Sequence, residues 1–386
     1  MRWIKTFSIN FQPLENNIFR AIGYQKEIGN TLDLIIYING IPVITWKIGD
    51  EDDNIERIYE QLNTECHKFQ QIYSFNVFSL ISKGLTETRY GIPWVKNELD
   101  EHWGWEWRDL EGRDICFKGS SIAYVIENLL NKKDLLTIIK YFICAPNDDY
   151  RKKKICWYQQ FYLASKFARE INSCIKSGKK QAGIQRVVPR SGRAHILLFL
   201  CKLLISKKMP IVIFLDRVDV RYKLFETFQG YKKFLNVSEI CEMSSGKFYS
   251  RSYDYEQILF ADINVLKIMD EVICLDKVIC IFYEVGSRKY TIGISHTKDI
   301  SGKEISVIPR MERLKMYLPN AIFLEIASDT KKHSTDIFGK VHGDEYQLDD
   351  LVTDGIAMKW DYEDRSQIRS ISGSQSDIFA GGAGCK

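Results

Sequence analysis

The period of hydrophobic and polar positions changes along this chain in a way that separates strands from helices. Thr31 to Ile38 is rich in Leu, Ile and Tyr and alternates weakly, which predicts a strand. Asn39-Gly40 then supplies a tight hairpin turn, and Ile41 to Trp46 predicts the returning strand. The spacing becomes helical over Ile55 to Phe69, with Ile55, Ile58, Tyr59 and Leu62 on one face. Asn76 to Ser82 reads as a strand again. Together these predict a small mixed α/β unit, a sheet with a helix packed on it. Ser121 to Phe142 and Lys152 to Ser173 carry amphipathic helical spacing. From Gln181 onward strands and helices alternate: a strand at Ile184 to Val188, a helix at Arg193 to Ser206 and a buried strand at Pro210 to Leu215. Further strands are predicted at Glu256 to Ala261, Val278 to Tyr283 and Ala321 to Ile326. Such alternation predicts a parallel sheet with helices on both faces.

Between the two units, Leu99 to Arg113 holds Trp103, Trp105 and Trp107 among acidic residues. This segment predicts a packed connector; a base-stacking platform is the alternative, which the acidity disfavours because it repels phosphate. The tail from Ser366 to Lys386, rich in Ser and Gly, predicts disorder. The net charge of +4, from 54 basic and 50 acidic residues, is too small to indicate nucleic acid by itself. None of the ten cysteines forms a C-x-x-C pair, and they read as reduced thiols of a cytoplasmic protein. The six histidines show no metal-binding spacing. The most apolar run, Ala194 to Ile205, contains Lys202 and is shorter than the roughly 20 residues a bilayer requires.

Two constellations sit where chemistry is expected. In the first unit, Asp33 heads a strand that turns into a second strand ending Thr45-Trp46-Lys47-Ile48-Gly49. A PD-(D/E)xK nuclease places an Asp on one strand and Glu-x-Lys on the next, so that two carboxylates hold Mg²⁺ and the lysine helps activate water. Read without a gap, Lys47 takes the Glu position and Gly49 the Lys position. A shifted register uses Thr45 and Lys47. Neither supplies a second carboxylate, and Asp33 alone would hold a metal weakly. In the second unit, Gly183 to Ala194 lies where a phosphate loop belongs. A working loop has glycine where Arg190 stands, lysine where Arg193 stands and Ser or Thr where Ala194 stands. Of its core only Ser191 and Gly192 are kept. A guanidinium does not fit the socket of a lysine ammonium.

Longer strings give the chain a resemblance to the R (motor and restriction) subunit of type I restriction enzymes. Asp33 to Val43 resembles that family's nuclease strand pair. Ile55 to Leu62 resembles the helix after it, with Gln61 kept and Glu65 where a tyrosine belongs. Ile92-Pro93-Trp94-Val95-Lys96 resembles the exit from the nuclease domain, and Lys152 to Phe161 the entry helix of the first motor lobe, with Gln160 retained. Leu215 to Asp219 and Leu224 to Phe228 resemble the segment after the second motor strand. Tyr283 to Arg288 falls where an Asp-Glu-Ala-His box stands, with Glu284 kept and Tyr283 in place of the metal-binding aspartate. Ala327-Ser328-Asp329-Thr330 replaces Thr-Gly-Thr-Pro.

The resemblance implies a partial PD-(D/E)xK-type nuclease domain over residues 1–98, a Trp-rich connector over 99–160 and a RecA-like motor domain over 161–365, before the tail. It also implies ATP and Mg²⁺ as cofactors, and DNA and a methylase–specificity complex as partners. The nuclease remnants would be Asp33, Lys47 and Gln61. The degenerate ATP-site positions would be Gln160, Arg190, Ser191, Gly192, Arg193, Ala194, Tyr283 and Glu284. Because loop, box and nuclease positions have changed together, the chain reads as a catalytically impaired relative, truncated before a second motor lobe. Two further readings remain: DNA binding without turnover, through Arg151-Lys152-Lys153-Lys154 and Lys176 to Lys180, and activity completed by another chain.

Overall fold

A computed structural model describes residues 8–25, 32–95, 103–108, 120–243, 256–264, 277–285, 295–298, 304–307, 314–316, 318–328, 335, 337–342, 346–354 and 356. The Ser366 to Lys386 tail lies outside them. The first unit is a six-stranded sheet of β1 (Phe19–Gln25), β2 (Leu32–Ile38), β3 (Ile41–Gly49), β4 (Phe78–Lys83), β5 (Glu87–Gly91) and β6 (Trp105–Glu106), in that order. Only β3 and β4 run parallel, joined across the sheet by α1 (Ile55–Lys68) and a short α2 (Gln70–Tyr73). The Asn39-Gly40 turn has φ of 52° and 84°, the two positive values that a two-residue hairpin turn demands. Helix α1 begins at Asn54, whose side chain accepts from Glu56 N–H, and buries Ile55, Ile58, Tyr59, Leu62 and Cys66.

The Trp segment does more than connect. Trp105 pairs with Tyr90 and adds β6 to the sheet edge, while Trp103 and Trp107 are buried. A hydrophobic face alone does not distinguish a packed connector from a sixth strand, because the pairing partner β5 carries no strong alternation of its own. The long helical stretch at 121–142 is likewise two helices, α3 (Ser121–Asn128) and α4 (Lys132–Tyr141), divided where Asn131 caps the second. A two-stranded ribbon, β7 (Ile143–Cys144) with β8 (Lys154–Ile155), leads to α5 (Tyr158–Ser177).

The second unit is built on seven parallel strands: β9 (Gln181–Arg186), β10 (Ile211–Leu215), β11 (Glu239–Met243), β12 (Gln257–Asp262), β13 (Val278–Tyr283), β16 (Ala321–Ala327) and β17 (Val341–His342). Their order is β11-β12-β10-β13-β16-β9-β17. The helices α6 (Arg193–Ile205), α7 (Val218–Gly230) and α8 (Lys232–Leu235) connect its early strands, and α9 (Leu348–Thr353) follows β17. A separate ribbon pairs β14 (Ser295–Lys298) with β15 (Glu304–Val307). The chain is thus a mixed α/β protein with a parallel sheet, the architecture expected of a RecA-like domain. β10 reads Ile-Val-Ile-Phe-Leu without a polar position because both its faces are covered. Ile211, Ile213 and Leu215 join one core layer, and Val212 and Phe214 join the other with Leu314, Leu318 and Phe338.

One continuous core runs from the first sheet through α3 to α6 into the second sheet, from Trp46 and Tyr90 through Trp107, Phe142 and Phe161 to Phe199 and Ile213. A polar clasp reinforces it. Asp354 accepts hydrogen bonds from the Tyr158 hydroxyl at 2.9 Å and the Tyr346 hydroxyl at 2.7 Å, and pairs with Arg108 at 3.1 Å. Segments some 200 positions apart in the chain therefore share one buried carboxylate. Among the described residues no helix is long and apolar enough to cross a membrane.

Candidate functional site

In a parallel α/β sheet the carboxyl ends of the strands, at the point where strand order reverses, form the usual binding crevice. Here those ends belong to β9, β13 and β16, and the sequence delivers to them the loop after β9, the residues after β13 and Ser328 after β16. The loop runs from Val187 to Gly192. Arg190 has φ of 73° and is exposed, at the position where a phosphate loop has glycine. Ser191 is fully buried, and its hydroxyl donates to the Val188 carbonyl at 2.7 Å. Gly192 caps α6 in the left-handed region at φ 76°, and a Cβ there would collide with the Gln160 amide. Gln160 itself is buried. Its carbonyl accepts from Trp157 N–H at 3.1 Å, and its amide donates to the Ser191 carbonyl at 3.4 Å. The retained Gln160, Ser191 and Gly192 are therefore fastened to one another.

Arg193, the first residue of α6, reaches across the crevice and forms an ion pair with Glu284. The other oxygen of Glu284 accepts from the Ser328 hydroxyl at 3.1 Å. Glu284 sits at φ 51°, and its N–H donates to the Ile326 carbonyl at 2.9 Å, so the backbone turn that aims its carboxylate is itself stitched to β16. The three strand ends are joined by Arg193, Glu284 and Ser328. Arg193 and Glu284 are each about a quarter exposed, at 22% and 25%. The positive group that would meet a triphosphate thus already has a carboxylate. Ala194 is half-buried and packs against the core, offering no hydroxyl. Tyr283 is buried, and desolvation holds its phenol above the usual value, with Arg193 opposing and Glu284 adding to the shift. This donor set does not fit Mg²⁺ with a nucleoside triphosphate: the metal hydroxyl and the metal carboxylate are missing, and the anion's counter-charge is spoken for.

The first unit has a parallel solution. The register sets Asp33 directly across from Lys47, and the side chain of Asp33 lies outside the described ones. Lys47 is buried and pairs with Glu65 of α1 at 2.8 Å. Gln61 is half-buried one turn earlier on that helix. Thr45, two residues from Lys47 on the same face, is hydrogen-bonded to Ser79 at 2.6 Å and receives Asn76 at 3.1 Å. Every polar group of β3 on this face is tied into the fold. Among the described residues no three His, Cys, Asp or Glu side chains are placed to hold a metal ion.

Sequence reasoning placed Arg193 and Glu284 in one crevice, and Lys47 and Gln61 in another. It did not foresee that Arg193 and Glu284 would neutralise each other, nor that Glu65, noted only as a departure from a tyrosine, would hold Lys47. Charge complementarity was the available signal in both cases: Arg193 faces Glu284, and Lys47 faces Glu65. A cavity of about 400 Å³ lies beside the loop, between the starts of α5 and α6 and the first sheet, lined by Trp103, Trp157, Gln160, Gly192 and His195. Burial, with Lys154 adding, lowers the His195 pKa to about 4, and its Nε2 is out of solvent and without a hydrogen-bond partner among the described residues.

No family model matches the chain. It is 24% identical over 401 aligned positions to the type I restriction enzyme HindI endonuclease subunit of Haemophilus influenzae, a match covering 96% of this chain and 37% of that one. The putative type I restriction enzyme MjaVIIP endonuclease subunit of Methanocaldococcus jannaschii is 26% identical over 258 positions, 59% of this chain and 23% of that one. The chain thus spans well under half the length of these relatives. Among solved structures, the UvsW helicase of bacteriophage T4 aligns over 84% of this chain with a TM-score of 0.36 and 10% identity. A nuclease-deletion mutant of the type ISP restriction-modification enzyme LlaGI, in complex with a DNA substrate mimic, aligns over 50% with a TM-score of 0.31 and 9% identity. By sequence, the chain is a homologue of the endonuclease subunits of type I restriction enzymes.

Proposed function

We propose that this chain is a non-hydrolysing relative of the restriction subunit, a scaffold that docks on a methylase–specificity complex in the cytoplasm without cutting DNA or turning over ATP. In this reading residues 1–98 are the nuclease-like unit, 99–160 the connector and 161–365 the motor-like unit. The observation that carries it is the Arg193–Glu284–Ser328 bridge across the strand ends. Phosphoryl transfer relies on positioned charge, and loss of a single such group costs orders of magnitude in rate. Here the lysine, the metal hydroxyl and the metal carboxylate are replaced by Arg193, Ala194 and Tyr283. The framework around them remains packed, which supports a retained role in assembly. Purified protein is assayed for ATP hydrolysis with and without duplex DNA, beside a pull-down with the cognate methylase–specificity complex. Capture without hydrolysis is expected. DNA-stimulated hydrolysis above a buffer control defeats the reading.

A further inference from the structure

At the opposite edge of the parallel sheet, where its strands begin, lies a basin of about 600 Å³ rimmed by Lys179, Lys180, Lys315 and Lys340 and floored by Leu318 and Phe323. No lining residue is a carboxylate. The lysines come from three places in the chain. Lys179 and Lys180 follow the left-handed Gly178 that ends α5, Lys315 lies in a helical turn anchored by Leu314, and Lys340 precedes β17. Their backbone is held firmly. The Lys180 carbonyl accepts from Phe323 N–H at 2.7 Å, the Lys340 carbonyl from Ile184 N–H at 2.9 Å, and the Gln181 amide donates to the Ile337 carbonyl at 2.8 Å. Gly183, at φ 109°, permits this closeness, since a Cβ there would lie 2.6 Å from the Lys340 carbonyl.

In sequence, the Lys176 to Lys180 run resembles any solvated helix end. The fold changes its meaning by bringing Lys315 and Lys340, distant in the chain, to the same strand ends. The other basic run fares differently. Lys153 donates to the Asn76 carbonyl at 2.6 Å, lies 4.9 Å above the Trp94 ring, and is pushed by burial to a pKa of about 8, while Arg151 pairs with Asp149 at 3.0 Å. In that run Lys153 is spent on internal contacts and Arg151 on a local ion pair. The basin's four lysines form no ion pair among the described residues.

We propose that this basin is a docking surface for the phosphodiester backbone of duplex nucleic acid, separate from the strand-end crevice and independent of nucleotide. Like charges collected without neutralisation are relieved by a polyanion, and lysine, a point charge on a flexible stem, follows a backbone without reading bases. Phe323 is buried and unavailable for stacking, which favours a duplex over unpaired bases. The adjacent edge strand β17 is two residues long and half-buried, so it offers no ladder for an extended acidic peptide.

The test is fluorescence anisotropy of a labelled mixed-sequence duplex with the full chain across a salt series. The basin variant Lys179→Glu/Lys315→Glu/Lys340→Glu is compared with a control of equal charge change, Lys68→Glu/Lys133→Glu/Lys207→Glu, and circular dichroism reports folding of both. Glutamine versions of the basin changes provide a milder set. Wild type is expected to bind with a log K versus log salt slope of about −3, the basin variant to lose at least ~10-fold in affinity and flatten that slope by about 2, and the control to change by less than ~3-fold. Equal loss in basin and control variants overturns the proposal, as does binding insensitive to salt. Displacement of the duplex by polyglutamate at lower charge concentration than by unlabelled duplex assigns the basin to an acidic protein and likewise overturns it. Added ATP leaves the affinity unchanged if the site is independent of the crevice, and a shift with ATP counts against it.

Discussion

The Lys47–Glu65 pair and the Arg193–Glu284 pair do the same electrostatic job at different depths. Lys47 is 2% exposed and Glu65 17%, whereas Arg193 and Glu284 are at 22% and 25%. A buried pair that loses one member strands a charge in low dielectric, while a partly exposed pair lets water replace the lost partner. The first unit has therefore made its altered site part of its stability. The second has closed its crevice with a contact the fold can spare. The groups that a nuclease or a phosphate site would use are paired off in both places, but only in the first is changing them expected to endanger the fold.

The largest effect that separates the two follows from cutting the buried pair. Glu65→Ala is expected to cost about 3 kcal/mol or more in urea unfolding, and Lys47→Met combined with Glu65→Leu to recover most of it. A loss near that of a surface change would place the two pairs on the same footing. Next comes the clasp between the units. Asp354→Ala removes the shared acceptor of Tyr158, Tyr346 and Arg108, and is expected to cost about 2 kcal/mol, visible as a lowered midpoint of thermal unfolding. Unfolding that splits into two transitions in this variant would show that the carboxylate holds the units together as one cooperative body.

Acid acts on the cavity beside the loop. His195 has its folded pKa depressed to about 4 from 6.5, by burial first and Lys154 second. The unfolded chain therefore takes the proton first. Stability is fully present above pH 6.5 and is lost as pH falls through about 4, by roughly 2 kcal/mol after allowance for the partial exposure of the ring. His195→Gln is expected to flatten that part of the pH profile. If wild type and variant lose stability in parallel from pH 6.5 to 4, the loss belongs to carboxylates elsewhere.

The smallest stability change is expected from the exposed pair. Arg193→Met should cost no more than about 1 kcal/mol. The informative companion is Arg190→Gly/Arg193→Lys/Ala194→Ser, read by ATP-dependent thermal shift. A shift in this variant and none in wild type would show that the crevice kept its shape and lost only its groups. Absence of a shift would mean that Tyr283 and the fastened Gln160–Ser191–Gly192 turn have altered the socket itself.

Much of the fold was legible because it rests on local pattern. The Asn39-Gly40 hairpin, the apolar face of α1, and the unbroken apolar β10 and β13 each carry their own signal, and the alternation after Gln181 gave the parallel sheet. β1, β6, β11 and β17 were not read, because they are short or edge elements whose status depends on a partner elsewhere, and β5 was not read because it carries no strong alternation. The candidate site was legible as a set of departures. Arg190, Arg193, Ala194 and Tyr283 stood out because the resemblance calls for a glycine, a lysine, a hydroxyl and a carboxylate at those positions.

What took the place of that chemistry was decided only when the strands were brought together. By itself the sequence determined the periodicities, the turns and the absence of the phosphate lysine, the metal hydroxyl and the metal carboxylate, since these depend on residue identity at a few neighbouring positions. The tertiary structure decided that Arg193 faces Glu284 and Ser328, that Glu65 meets Lys47, that Asp354 gathers Tyr158, Tyr346 and Arg108, and that Lys315 and Lys340 join Lys179 and Lys180. Charges interact over a few ångströms of space, and a parallel sheet makes neighbours of residues that the chain keeps far apart.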